Sequence, residues 1–185
     1  MTILEESNPG LLFMKVGLHA GESFDEILAR KHGEYEKAGM SFWGYGGGTC
    51  HPTRHVQPFA RLKIEQKEGI YIVMQQIDSK HAPPSVLARE YSDDGVNWRP
   101  IPEGIEVRSS RYAVVIGEIK PMDLEIDLAS YEVAYGPSQG KSAPAYISGR
   151  VDKACLTKSA HNAPPEIHKI SHGAEILSPY AVFVR

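Results

Sequence analysis

From Gly69 onward the apolar residues of the chain follow the pattern of strands, and this constrains the fold more than any other feature. Residues 70–77, Ile-Tyr-Ile-Val-Met-Gln-Gln-Ile, are rich in the β-branched and aromatic side chains that suit a pleated, half-buried surface. Residues 88–91 and 96–98 flank Ser92-Asp-Asp-Gly95, a hairpin turn signal. Further strands are predicted over 111–119, 124–135, 145–156, 167–170 and 181–185. The last two-thirds of the chain is therefore expected to be mostly sheet.

The pattern before Gly69 is different. Residues 11–18 read as a buried strand, broken by His19-Ala-Gly21. Ser23 followed by Glu26 is a capping box that opens a helix, with Phe24, Ile27, Leu28, Tyr35 and Ala38 on its apolar face and Gly39 as its stop. Lys31, Glu34 and Lys37 are assigned to its outer face. Residues 40–45 form a strand running into glycines. Pro52 and Thr53 then open a second helix bearing Val56, Phe59 and Leu62, which Pro58 is expected to kink or shorten. The pattern predicts a single α+β domain over residues 1–185, with one or two N-terminal helices packed on a largely antiparallel sheet or barrel. Residues 1–10 read as a flexible or edge-packed tail, and the apolar strand 178–185 is expected to pin into the sheet, where it can also bury a homo-oligomer contact.

Composition narrows the partners. With 185 residues, 42% of them hydrophobic and 23% charged, the chain is an ordinary soluble globular one. A net charge of −3 argues against a binder of duplex nucleic acid that relies on bulk positive charge, and favours a small anionic ligand held in a local basic pocket. No apolar run approaches the roughly 20 residues that cross a bilayer, and MTILEESNPG has neither the basic nor the apolar region of a secretory leader. No membrane association is expected, and a cytoplasmic location is. Cys50 and Cys155 form no C-x-x-C pair and no disulfide framework, so two free thiols in a reducing compartment are expected.

Chemistry is concentrated in Phe42-Trp-Gly-Tyr-Gly-Gly-Gly-Thr-Cys-His-Pro-Thr-Arg-His55, where three aromatics, four glycines, one cysteine and two histidines share fourteen residues. A strand, a run of glycines and a helix start form an arrangement in which backbone N–H groups can approach phosphate. Gly46, Gly47, Gly48 and Thr49 would supply those donors, with His51, Arg54 and His55 adding side-chain ones, while Trp43 or Tyr45 would stack a base. The plainer alternative is a tight connection between packed elements, with all three aromatics in the core. The stretch is not a dinucleotide fingerprint, because Thr49 stands where the last glycine is needed.

Residues 136–142, Gly-Pro-Ser-Gln-Gly-Lys-Ser, resemble a Walker A loop with one residue too few, and the residues after it, Ala-Pro-Ala-Tyr-Ile, read as loop and strand and not as the helix a P-loop needs, which argues against a P-loop nucleotidase. Lys141 and Ser142 remain candidate phosphate donors. The pairs His51/His55 and His168/His172 are each four apart, but there is no H-E-x-x-H and no convincing carboxylate partner, so neither a metal nor a cofactor is expected. Asp123, Glu125 and Asp127 alternate along a strand and read as a solvated face.

The reading that results is a cytoplasmic binder of a small phosphorylated, nucleotide-type ligand, such as a protein that sequesters a signalling nucleotide. One alternative is a hydrolase or phosphodiesterase with His51 as acid or base and Cys50 or His55 assisting. In it, His51-Pro-Thr53 matches half of a two-histidine phosphoesterase pattern whose second half is missing. The other alternative is a protein–protein interaction module built on the aromatic loop.

Overall fold

The computed structural model describes residues 6–79, 83–148, 151–160 and 162–185. Its strands are β1 (Gly10–Val16), β2 (Ser41–Tyr45), β3 (Ile70–Gln76), β4 (Glu90–Ser92), β5 (Arg99–Pro100), β6 (Tyr112–Ile116), β7 (Lys120–Asp127), β8 (Tyr131–Val133), β9 (Lys153–Lys158) and β10 (Ile167–Val184). Its helices are α1 (Phe24–Ala38), α2 (Gln57–Glu65) and the short α3 (Ala143–Ile147). The strands join in one sheet ordered β2-β6-β10-β3-β1-β9-β8, with β7 and β4 also bonded to β10 and β5 to β4. Every pairing is antiparallel except β1 with β3. The α+β architecture expected from the sequence is the one observed, with the sheet open.

β1 shows why its sequence is apolar throughout. Leu12, Met14 and Val16 pack with Phe24 and Ile27 of α1 and Phe59 of α2, while Leu11 and Phe13 point to the opposite face and meet Ile126, Leu128 and Ile147. Both faces of the strand are covered, so alternation of polar and apolar residues is lost. Residues before β1 are tied to the sheet: Asn8 accepts from Lys63 Nζ at 2.8 Å through its carbonyl, and its side-chain oxygen accepts from Thr157 Oγ1 at 3.2 Å.

α1 has both predicted ends. Ser23 N–H donates to Glu26 Oε2 at 2.7 Å, Glu26 N–H donates to Ser23 Oγ at 3.3 Å, and Gly39 closes the helix in the left-handed region at φ 69°. The outward assignment of Lys31 and Glu34 is corrected: they are 3% and 2% exposed. At 100° per residue, positions 31 and 34 fall on the same face as Phe24 and Ile27, so helix geometry carries both charges into the interior.

Pro58 acts as expected, through a change of helical register. Lacking an N–H, it cannot bond the Arg54 carbonyl, and a π turn over Pro52–Val56 absorbs the defect before α2 continues. On α2 the buried residue seven beyond Val56 is Lys63, whereas Leu62 is 41% exposed, so Leu62 does not belong to the core face. Two strand expectations also change. Residues 143–147 are helical, with Pro144 in a first-turn position that needs no N–H. The segments 167–170 and 181–185 belong to one strand, because the register shift between Ile176 and Ala181 accommodates Pro179 as a bulge. On β7, Asp123 and Glu125 are exposed, but Asp127 Oδ1 accepts from Ala129 N–H at 3.0 Å and Glu166 N–H at 2.8 Å. No helix among the described residues is long and apolar enough to cross a membrane.

Candidate functional site

The end of β1, the inner face of α1, β2, the segment 106–110 and the start of β9 enclose a cleft of about 430 Å³. Its apolar wall includes Met14, Val16, Ile27, Trp43 and Ile77, and four cationic residues line it with their side chains on this face of the sheet, Arg30, Lys31, Arg108 and Lys153, whereas Lys15 borders it through its backbone and donates its ammonium to the Ile147 carbonyl on the opposite face at 3.1 Å. Glu106 and Asp152 are the two carboxylates in the lining, with Ser79, Ser109 and Ser110 adding hydroxyl groups. At Gly44, where β2 borders this space, a Cβ would lie 2.7 Å from Ser110 Oγ and would oblige that hydroxyl to turn away.

The floor of the cleft is an ion lattice. Lys31 Nζ donates to Glu34 at 3.0 and 2.9 Å, to the Glu106 carbonyl at 2.9 Å and to the Phe42 carbonyl. Arg30 donates to both oxygens of Glu22, at 2.9 and 2.7 Å, and to Glu34 Oε1 at 3.0 Å. Arg108 donates to Glu106 Oε2 at 2.7 Å and lies 3.5 Å from Glu22. Burial brings the Lys31 ammonium down to about 8, with Glu34 opposing the fall. Hydrogen bonding from Arg30 holds Glu22 low. Lys31 is committed to four acceptors and serves as a fixed positive charge. Arg108 is 29% exposed along its side chain and is the more available cation for a ligand.

The glycine-rich stretch is divided between several surroundings. Trp43 and Gly46 line the cleft. Tyr45 is buried, its hydroxyl donating to the Cys50 carbonyl at 2.7 Å and its ring lying 5.1 Å from Lys153 Nζ. Thr49 Oγ1 donates to Asp152 Oδ1 at 2.8 Å, which ties the loop to the cleft wall. Gly47 packs against Tyr112 and His51, and Gly48 borders open space. His51 Nε2 is 3.2 Å from Tyr112 Oη, and burial, then Arg54, then His55 lower its pKa. Arg54 is exposed. His55 Nδ1 accepts from His51 N–H at 3.1 Å.

The loop 136–142 does approach this stretch, at its first residues. A Cβ on Gly136 would lie 3.1 Å from His55 Cε1, and the Tyr135 ring is 6.4 Å from that of His55. Lys141 is exposed, and Ser142 precedes α3 with no side-chain capping bond. Cys50 and Cys155, far apart in sequence, are buried with Sγ atoms 3.3 Å apart. Among the histidines set aside as metal candidates, His168 lies 3.0 Å from Gln75 and 2.9 Å from Glu166, and His172 packs edge-on to Phe24.

The charged cleft residues that the sequence reading does not assign to a site are Arg30, Lys31, Glu106, Arg108, Asp152 and Lys153. Lys31 had a signal, its place in the apolar stripe of α1. The others are brought together only by the pairing of β1 with β9 and the packing of 106–110 on α1. Compared with models of known protein families, with characterised proteins and with solved structures, the chain matches none, so the reading of this site rests on its geometry.

Proposed function

We propose that the protein binds a small phosphorylated, nucleotide-type ligand in the cleft beside β2, without transforming it, in a cytoplasmic setting. The observation that carries this is the convergence of four cations, Arg30, Lys31, Arg108 and Lys153, and an apolar wall on one concave space of about 430 Å³. That volume falls within the roughly 300–1,000 Å³ of small-molecule sites, which combine apolar walls with a few convergent polar groups. Arg108 would hold the phosphate, with Lys153 as a second cation whose ammonium, 2.9 and 2.8 Å from the two Asp152 oxygens, would be shared between Asp152 and the ligand; the hydroxyl groups of 109–110 would orient the phosphate, and the apolar wall with the edge of Trp43 would take the base. Trp43 is 4% exposed, so it contributes an edge and not an open stacking platform.

Titration calorimetry with nucleoside monophosphates is the test. Arg108→Ala and Lys153→Ala should each weaken binding by about 1.5–3 kcal/mol, the range for a hydrogen bond to a charged group, which is roughly 10- to 150-fold. Arg54→Ala and His51→Ala should stay close to the parent. The opposite ranking would move the ligand to the outer face of residues 47–55, and absence of binding by the parent to every nucleotide and to inorganic phosphate would sink the proposal. The hydrolase alternative draws on the placement of Cys50 and His55 on one recess, where hydrogen bonds from Cys155 and then His55 hold the Cys50 thiol low. Release of product during the same titrations would select it.

A further inference from the structure

We infer that Cys50 and Cys155 are a redox-active pair, with Cys50 the attacking thiolate, Cys155 the resolving thiol and a small peroxide the oxidant. The inference is independent of the ligand proposal. Its basis is geometric: the two Sγ atoms are 3.3 Å apart, one on the loop after β2 and the other within β9. A disulfide requires about 2.05 Å between sulfurs, so a displacement of little more than 1 Å closes the bond. The loop side can supply it, because Cys50 is held at φ 48°, a left-handed conformation costly for a residue with a Cβ.

The surroundings distinguish the two sulfurs. Cys155 lies in mid-strand opposite Leu12 and is 1% exposed, and burial pushes its thiol up. Cys50 is 7% exposed and is lowered by the hydrogen bond from Cys155, then by His55 and Tyr45, against burial. His55 Nδ1 accepts the His51 amide proton, which leaves Nε2 as the donor nitrogen of the ring. Both cysteines border a recess with His55, Tyr135, Ser138 and Tyr146 that has room for about one water-sized molecule. Hydrogen peroxide approaches that size, whereas a bulky disulfide such as oxidised glutathione does not.

The chemistry balances in two steps. The Cys50 thiolate attacks one oxygen of hydrogen peroxide, the O–O bond breaks, and the departing hydroxide takes a proton to become water, leaving Cys50 as a sulfenic acid. The Cys155 thiol then loses its proton as its sulfur attacks Cys50 Sγ, the S–O bond breaks, and hydroxide leaves with that proton as a second water. Two thiols are oxidised to one disulfide and one peroxide is reduced to two waters.

The experiment treats the purified, reduced protein with hydrogen peroxide, quenches with catalase, alkylates, and maps peptides without reduction. The expected result is a linked Cys50–Cys155 peptide, with both thiols lost together and both recovered on adding dithiothreitol. Cys155→Ala should instead stop at a sulfenic acid on Cys50, trapped by dimedone and formed more slowly than the parent's disulfide because the hydrogen bond from Cys155 is lost. The parent map decides even if that variant folds poorly. Two free alkylated cysteines, a Cys50 sulfinate beside an untouched Cys155, or linkage between separate chains would each overturn the assignment.

Discussion

Glu34→Leu is expected to lower the free energy of unfolding by about 3–5 kcal/mol at pH 7, the scale for breaking a buried ion pair from one side. Lys31 would be left 3% exposed with two carbonyl acceptors and no carboxylate in contact. Lys31→Met should cost about 3 kcal/mol, the lower end of that range, because Arg30 still donates to Glu34. Urea unfolding measures both, and losses under about 1 kcal/mol would mean that the pair is accessible to water.

The same pair predicts a pH effect. Lys31 titrates near 8 in the folded chain against 10.5 as its ordinary value, so between these values the unfolded state holds more protons than the folded one. Unfolding free energy must then rise with pH across that window. Tyr45 and Tyr71, whose pKa values are raised, act in the opposite sense above about pH 10. The comparison is therefore between parent and Lys31→Met from pH 8 to 10, where the parent should gain relative to the variant. A constant difference across the range would contradict the burial of that ammonium.

Trp43→Ala is the second large expected loss, about 3–5 kcal/mol for truncating a buried tryptophan. Trp43 stands in the main core with Ile27, Tyr45 and Val114 while its edge borders the cleft. Thermal or urea unfolding should show the loss with or without ligand, and Trp43→Phe should lose less of both stability and affinity. A fully stable Trp43→Ala protein that no longer binds nucleotide would make Trp43 a stacking residue, as the sequence first suggested, and not part of the scaffold.

The parts of the fold legible in the sequence are those set by local physics. The Ser23–Glu26 box and the Gly39 stop each need particular residue types at fixed offsets, and both are present where expected; the hairpin about Gly95 also forms, but its strands are Glu90–Ser92 and Arg99–Pro100, so residues 96–98, read as strand, belong to the turn. Lys31 and Glu34 were misplaced because charge was weighed above periodicity. The continuous β10 was hidden by Pro179, which ends a regular strand but is compatible with a bulge. The site was legible only at Trp43 and Gly46. Its cations come from α1, the segment before β6 and β9, and neither the neighbouring of Met14 with Lys153 nor that of Cys50 with Cys155 follows from separation along the chain. Those proximities come from strand order, which local pattern does not encode.

The central claim is that the cleft holds a phosphorylated ligand. Mass spectrometry of small molecules released by denaturing natively purified protein, with an Arg108→Ala/Lys153→Ala preparation alongside, tests it most directly. A phosphorylated, nucleotide-sized compound is expected to be released intact from the parent and to be strongly depleted in the variant. Equal recovery of that compound from both proteins, or its absence from a parent preparation that also binds no added nucleotide, would contradict it.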